Sequence, residues 1–389
     1  MDEADGILSA WLTAAPRSIP AHLLNGRLAV AKGRLAQAAE ELKRAQVLGA
    51  GMDDLKFLRA LIAAKVGRPA EALSDLTRAF AEAAWPDRQL DEALARACLE
   101  TYDLKQAAAV LDRWSSDFPD DPTPHLWLAE IHAREADGAS LVLGDYREAL
   151  HRDPNLARAR LGLAESLRAA HRNSEAAEAY DSYFKIKPDD PQAHLGAGRN
   201  LAERGDDAAA ERHLLRAVEL NGRDAGARAE LAGLLGRRGD WPAALEQLDR
   251  AIALDPYEVG IRHQRGLALA RLGRPGEARA EQLLVHRLRD EHRQLAELRK
   301  RLVASPHDRE GQIGISRWMF AHGHDDEGAR WAERILAERP TDPDASRLLA
   351  DYHDRRGEAG LANRYRLHAG QTSSNVHDDR GSRPQPEQN

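Results

Sequence analysis

Small and apolar residues recur along this chain in one frame. Ala38, Ala72, Ala176, Ala210, Ala244 and Ala278 each lie a multiple of 34 residues from at least one other. Seven residues further on stand Ala45, Ala79, Tyr183, Ala217, Ala251 and Val285, and twelve before stand Gly26, Ala60, Ala164, Gly198, Ala232 and Gly266. Turn signals fall between the halves of each unit: Lys32-Gly33-Arg34, Val66-Gly67-Arg68-Pro69, Arg204-Gly205-Asp206-Asp207, Arg238-Gly239-Asp240 and Leu272-Gly273-Arg274-Pro275. Pro119, Pro154, Pro188, Pro256 and Pro340 close several units. Such a unit predicts two helices. Glycine supplies the positive φ that ends the first, and the Asp or Pro after it suits the start of the second. Proline lacks an N–H and clashes with a continuing helix, so it ends the second.

This arrangement resembles the tetratricopeptide repeat, with a small residue at position 8, Ala at 20, an apolar residue at 27 and Pro at 32. The resemblance implies an all-α fold, a right-handed α-solenoid of about ten stacked helical hairpins, stabilised by nearest-neighbour interfaces. Positions 8 and 20 lie where the two helices of a hairpin cross, and only Gly or Ala lets the backbones approach. Position 27 meets the next unit. The units fall at 19–52, 53–86, 88–121, 122–155, 157–190, 191–224, 225–258 and 259–292, then at 309–342 and 343–370. The fourth departs most, with Val142 where a small residue belongs and a lengthened turn around Asp137-Gly138; the ninth carries Gly328 at position 20, and the tenth carries Arg366 where a bulky apolar residue is usual.

The flanks have their own pattern. Ala4, Leu8, Trp11 and Pro16 occupy positions 20, 24, 27 and 32 of a unit whose first helix is missing, so 1–18 predicts an orphan capping helix. Neither Gly nor Pro interrupts the chain after Gly276 up to Ala304, so 276–306 predicts a second helix that runs on far beyond its unit. Leu284, Leu288, Leu295, Leu298 and Leu302 form a stripe along it. The stripe either packs on the ninth unit or offers a coiled-coil seam for self-association through Gly276–Ala304. Residues 371–389 hold one bulky apolar residue, Val376, and predict a disordered tail.

Composition sharpens the picture. Ala, Leu, Arg and Glu dominate while aromatics make up 5%, which favours helices over strands. The formal charge of −7 gives no electrostatic reason to expect nucleic acid as a partner. A single cysteine, Cys98, excludes an intrachain disulfide framework and any paired-cysteine metal motif. No stretch approaches the ~18–20 apolar residues of a membrane span, and Met1 to Gly6 carries three acidic groups and no basic ones. The expected compartment is the cytoplasm, or the periplasm or a membrane surface if the natural N-terminus lies upstream of Met1.

Phosphate loops, nucleophile elbows, zinc-binding His-Glu-x-x-His helices and EF-hand loops are absent from the sequence. No cofactor or metal is expected, and the chain does not read as an enzyme. His322-Gly323-His324-Asp325-Asp326 gathers imidazoles and carboxylates that could ligate a divalent cation, but the same residues suit an inter-helix turn. Cys98, flanked by Ala97 and Leu99, reads as a buried thiol. Trp114 reads as core, Trp241 as half exposed, and Trp318 and Trp331 as filling the space left by Ser316 and Gly328.

Function then falls to the concave face. In the tetratricopeptide family that face is lined by the first helix of each unit, at positions 2, 5, 9, 12 and 13, and receives a peptide. The resemblance nominates Arg27, Phe57, Arg96, Glu130, Glu165, Arg199, Leu267 and Arg317 as groove residues. They suit a protein segment with apolar anchors flanked by charges. The Lys and Asn set that clamps a terminal carboxylate in chaperone-binding members is missing. Two rivals remain: the noncatalytic arm of an enzyme or envelope-associated assembly, and an RNA-binding helical repeat, which the acidic balance disfavours.

Overall fold

The structure is a computed structural model that describes residues 2–133, 139–305 and 307–378. Among these described residues the regular elements are α-helices, in two compact units, Met1–Leu220 and Asn221–Asn389. The first unit opens with α1 (Asp2–Ala14). Six hairpins follow: α2 (Ile19–Ala31) with α3 (Leu35–Val47), α4 (Met52–Val66) with α5 (Pro69–Glu82), α6 (Arg88–Glu100) with α7 (Leu104–Asp117), α8 (Thr123–His132) with α9 (Ala139–Arg152), α10 (Ala157–Ala169) with α11 (Asn173–Phe184), and α12 (Pro191–Glu203) with α13 (Asp207–Leu220). The second unit holds four more: α14 (Ala225–Arg237) with α15 (Trp241–Leu254), α16 (Val259–Arg271) with α17 (Pro275–Ala304), α18 (Arg309–Ala321) with α19 (Asp325–Glu338), and α20 (Pro343–Arg355) with α21 (Ala359–Asp378). Each unit is an all-α solenoid of stacked hairpins.

The sixth hairpin shows how local chemistry makes the element. Asp190 caps α12, its Oδ1 accepting from the backbone N–H of Gln192 at 2.9 Å and of Ala193 at 3.3 Å. Pro191 follows at the first helical position, where its missing N–H costs nothing. Gly205, at φ +81°, turns the chain out of α12, a conformation that strains a side chain with a Cβ. In the third and fifth hairpins the same left-handed position is held by Tyr102 (φ 62°) and His171 (φ 56°), so the turn is imposed there without glycine. At the crossing, Ala210 is fully buried, and a Cβ added to Gly198 would come within 2.7 Å of Leu214 Cγ.

Hairpins are tied together at position 27. Trp114, fully buried, donates its indole N–H to Asp121 at 3.2 Å, and the Tyr183 hydroxyl donates to Asp190, the cap of the next helix. A second tie recurs at position 4 of the first helix, where four residues reach back to a carbonyl six residues upstream and across to the second helix nineteen residues on. His22 meets Pro16 O (3.0 Å) and Glu41 (2.6 Å); His194 meets Pro188 O (2.9 Å) and His213 (3.0 Å). Arg228 meets Gly222 O (3.1 Å) and Gln247 (3.1 Å), and Arg262 meets Pro256 O (2.5 Å) and Glu281 (3.2 Å). The task is constant while the residue type changes.

The helix α17 is 30 residues long. Its leucine stripe is used within its own unit: Leu288, Leu295 and Leu302 are buried, and Leu295 and Leu302 share a core with Ile315 and Met319 of α18. Two glycines of α18 make room, since a Cβ on Gly311 would meet Leu302 at 3.0 Å and one on Gly314 would meet Leu298 at 3.0 Å. The stripe is therefore the packing face against the ninth hairpin, and the coiled-coil seam expected as its rival would need side chains that are already covered. Trp318 and Trp331 join this core with Leu298 rather than filling the space beside Gly328, which the Phe320 ring covers. The two indoles are drawn to the larger apolar surface that α17 brings. The lengthened turn around Asp137-Gly138 and the tail segment 379–389 lie outside the described residues, whereas 371–378 is helical as the end of α21.

Candidate protein-interaction surface

The first helices of the Met1–Leu220 unit bring four of the nominated residues into a chain of contacts. Arg27 donates through Nη2 to both carboxylate oxygens of Asp87, at 2.9 and 2.6 Å, and through Nε to Gln89 at 3.0 Å. The amide of Gln89 donates back to the Arg27 carbonyl at 2.9 Å, and the guanidinium lies 5.2 Å from the centroid of the Phe57 ring. Arg27 and Phe57 thus join α2, α4 and the start of α6. Arg96 donates to Glu92 at 3.1 Å and stands 5.5 Å from the Trp127 ring centroid, while Lys65 approaches the same Glu92 oxygen at 3.8 Å. Glu130 pairs with Arg158 at 2.6 Å.

Glu165 is placed otherwise. The Tyr180 hydroxyl donates to it at 2.6 Å, and a Cβ added to Gly196 would run into that same carboxylate and hydroxyl. Burial, then the Glu165 charge, pushes the Tyr180 hydroxyl far above its ordinary range. Glu165 therefore braces α10 and α11 where α12 packs on them. Arg199 lies half-buried on α12. The last two nominated residues belong to the Asn221–Asn389 unit and do not meet each other's partners. Leu267, 47% exposed, lines a cleft of about 410 Å³ between α16 and α17, and Arg317 pairs with Asp344 of α20 at 3.3 Å.

These contacts follow a rule that the nomination missed. Position 9 reaches position 2 of a following hairpin: Glu130 to Arg158, Arg317 to Asp344, and Arg27 past one hairpin to Gln89. The charges at these positions of the first helices are largely rungs that hold neighbouring first helices in place. Gln89, Arg158 and Lys65 complete the surface, and their places at positions 2 and 13 were the available signal.

Between the rungs, α2, α4 and α6 enclose a cavity of about 310 Å³. Leu61, Ala64 and Ala93 give it an apolar floor, and Lys65, Glu92 and Arg96 give it a charged rim of both signs. Cys98 is not reachable: it is fully buried, and burial with the nearby Asp103 charge pushes its thiol up to about 11. His322 is engaged as well. Its Nδ1 donates to the Trp318 carbonyl (2.7 Å), its Nε2 is 3.0 Å from Glu291, and its ring stacks on Trp318 at 3.9 Å. His324 precedes α19 with its ring on Trp318, 6.0 Å between centroids. Among the described residues no group of three His, Cys, Asp or Glu side chains converges as a metal site, and no helix is long and apolar enough to cross a membrane.

Four stretches of the chain, 57–122, 143–191, 195–259 and 230–290, match the family model described as tetratricopeptide repeat, and together they span more than half of its residues. No curated protein sequence matches the chain. Similar solved structures include MamA (20% identity, 44% of this chain and 94% of that one, TM-score 0.40) and YrrB, described as a TPR protein with an unusual peptide-binding site (21% identity, 48% and 95%, TM-score 0.41). Another is the Pseudomonas aeruginosa protein pilF (19% identity, 52% and 91%, TM-score 0.47).

Proposed function

The chain belongs to the tetratricopeptide repeat family, and from that premise we propose that it is a noncatalytic protein-interaction scaffold. Its Met1–Leu220 unit receives a polypeptide segment along the face made by the first helices. The observation that carries this reading is the cavity framed by α2, α4 and α6. An apolar floor within a rim of Lys65, Glu92 and Arg96 suits one apolar anchor flanked by charged residues. The rim charges pair with one another, as Arg96 and Lys65 do with Glu92, so recognition concentrates where the rungs leave room for an apolar anchor.

The test is a display selection of random peptides on the full chain. Selected peptides should share one apolar anchor beside charged residues. Their affinity should fall by about tenfold or more when Ala93→Trp fills the cavity or Arg96→Glu reverses its rim, as loss of a central anchor does. Arg317→Glu, in the other unit, should leave binding unchanged. Peptides indifferent to both cavity variants would overturn the placement.

A further inference from the structure

The eighth hairpin leaves its crossing open. In the other well-matched hairpins three positions close it. At position 8 of the first helix Gly26, Ala60, Ala164, Gly198 and Ala232 are buried. At position 20 of the second, Ala38, Ala72, Ala176, Ala210 and Ala244 have at most 1% of their surface exposed. Position 24 adds a large side chain to the interior: Leu76, Leu111, Tyr180, Leu214 and Leu248, each at most 2% exposed. In α16 and α17 these positions are Gly266 and Ala278, both only half-buried, and Gln282, which is exposed. A Cβ added to Gly266 would meet nothing closer than Glu281 Cβ at 3.4 Å, whereas one on Gly198 would meet Leu214 at 2.7 Å.

The cause lies in α17. In the seventh hairpin the following first helix completes the slot: α16 leans on both α14 and α15, and Ile261 shares a core with Leu245 and Leu248. The helix α17 runs for 30 residues, and α18 packs on its far half. Ile315 and Met319 meet Leu295, Leu298 and Leu302 there, and Trp318 donates to the Glu291 carbonyl at 3.0 Å. The near half of α17 keeps its slot with α16 open, as the cleft of about 410 Å³ that Leu267 lines. This opening lies inside the chain, with a hairpin before it and two after it.

The two walls differ in chemistry. On α16, Leu267 is 47% exposed, and Ala270 is exposed at position 12, which is buried at Val30, Ala64 and Gly236. On α17 the wall is cationic. Arg279 stands exposed at the cleft, and His286 and Arg289, seven and ten residues on, carry the same face past it. No carboxylate lines the cleft, and among the described residues neither Arg279 nor His263 at its rim pairs with one. We propose that the α16–α17 cleft docks an amphipathic α-helix of a partner protein, apolar towards Gly266, Leu267 and Ala270 and acidic towards Arg279. A helix fits because a first helix fills the equivalent slot of the seventh hairpin, and the unpaired cations select acidic residues beside its apolar row. The chain's own segment 379–389 holds no bulky apolar residue and does not match. The proposal rests on the scaffold reading and adds a second surface to it, distinct from the cavity rimmed by Arg96.

The test uses the full chain and a displayed library of helix-constrained peptides of about 15 residues, since an unconstrained helix this short is marginal in water. Leucine is fixed at i, i+3, i+4 and i+7, and the other positions are randomised. Selection on the wild type, with counter-selection on Leu267→Glu, should recover helices enriched in Asp and Glu. Their affinity by fluorescence anisotropy should fall by about tenfold or more with Leu267→Glu or Arg279→Glu. Both side chains are exposed, so the circular-dichroism melts of the two variants should match the wild type. Replacing the acidic residues of a selected helix with Lys should restore binding to Arg279→Glu, and Arg96→Glu should have no effect. Recovery of no helix that depends on Leu267, or of helices without acidic enrichment, overturns the proposal. So does a dimer in sedimentation velocity that Leu267→Glu abolishes, because a second copy then fills the cleft. Binding lost only with Arg96→Glu would sink this proposal while leaving the scaffold reading intact.

Discussion

The hairpins α12/α13 and α18/α19 solve the same crossing in opposite ways. In α12/α13 the bare position is Gly198 on the first helix, and Leu214 of the second helix lies over it. In α18/α19 the bare position is Gly328 on the second helix, and Phe320 of the first lies over it, with the closest approach to an added Cβ at 3.0 Å. Ser316, buried opposite Gly328, donates its hydroxyl to the Gly328 carbonyl at 2.8 Å. The crossing therefore requires a small residue on one helix and a large apolar side chain from the other to close the space. Which helix supplies which is free.

The comparison can be broken most forcefully at the covering side chain. Leu214→Ala removes the group that fills the space over Gly198 and should cost about 2–5 kcal/mol, the usual range for a buried Leu left as a cavity. Urea denaturation midpoints measure it, and a loss near zero would mean the crossing is not closed by Leu214. Adding volume should cost less. Ala210→Leu pushes the two backbones apart and should cost about 1–3 kcal/mol. An unchanged midpoint would show that the register at position 20 is misassigned.

The small residues at these crossings were legible in the sequence because the same volume constraint returns every 34 residues. Ala38, Ala72, Ala210 and Ala244 all have at most 1% of their surface exposed. Trp114 could be placed in the core for the same reason. Covering groups were less legible. Phe320 covers Gly328, while Trp318 and Trp331 pack on α17, because a tryptophan goes where the largest apolar surface is offered and α17 lies outside the repeat. The face made by the first helices was legible only as a set of positions. Whether Arg27 is open to a ligand depends on Asp87, sixty residues away, and Glu165 depends on Tyr180. Position 4 was not legible, since His22, His194, Arg228 and Arg262 share a task that only geometry reveals.

Position 4 also supplies the smallest difference between the two hairpins. In α12/α13 the pair is His194 and His213, Nδ1 to Nδ1 at 3.0 Å, beside the Phe184 ring. In α18/α19 the matching residues are Gln312 and Trp331, neither of which titrates near neutrality. Burial first, then the His194 charge, lowers the pKa of His213 below its ordinary 6.5, against the raising effect of Asp181; Arg212 acts with His194. The unfolded chain takes up at that pH a proton that the folded chain refuses. Stability from this source is therefore fully present above the ordinary value and is lost as pH falls below it. Between about pH 7.5 and about pH 5.5 the denaturation midpoint of the wild type should drop further than that of His213→Gln. Amide exchange should place the extra opening in α12 and α13 and not in α18 and α19. Equal pH slopes for the two proteins would show that burial of this imidazole does not distinguish the hairpins.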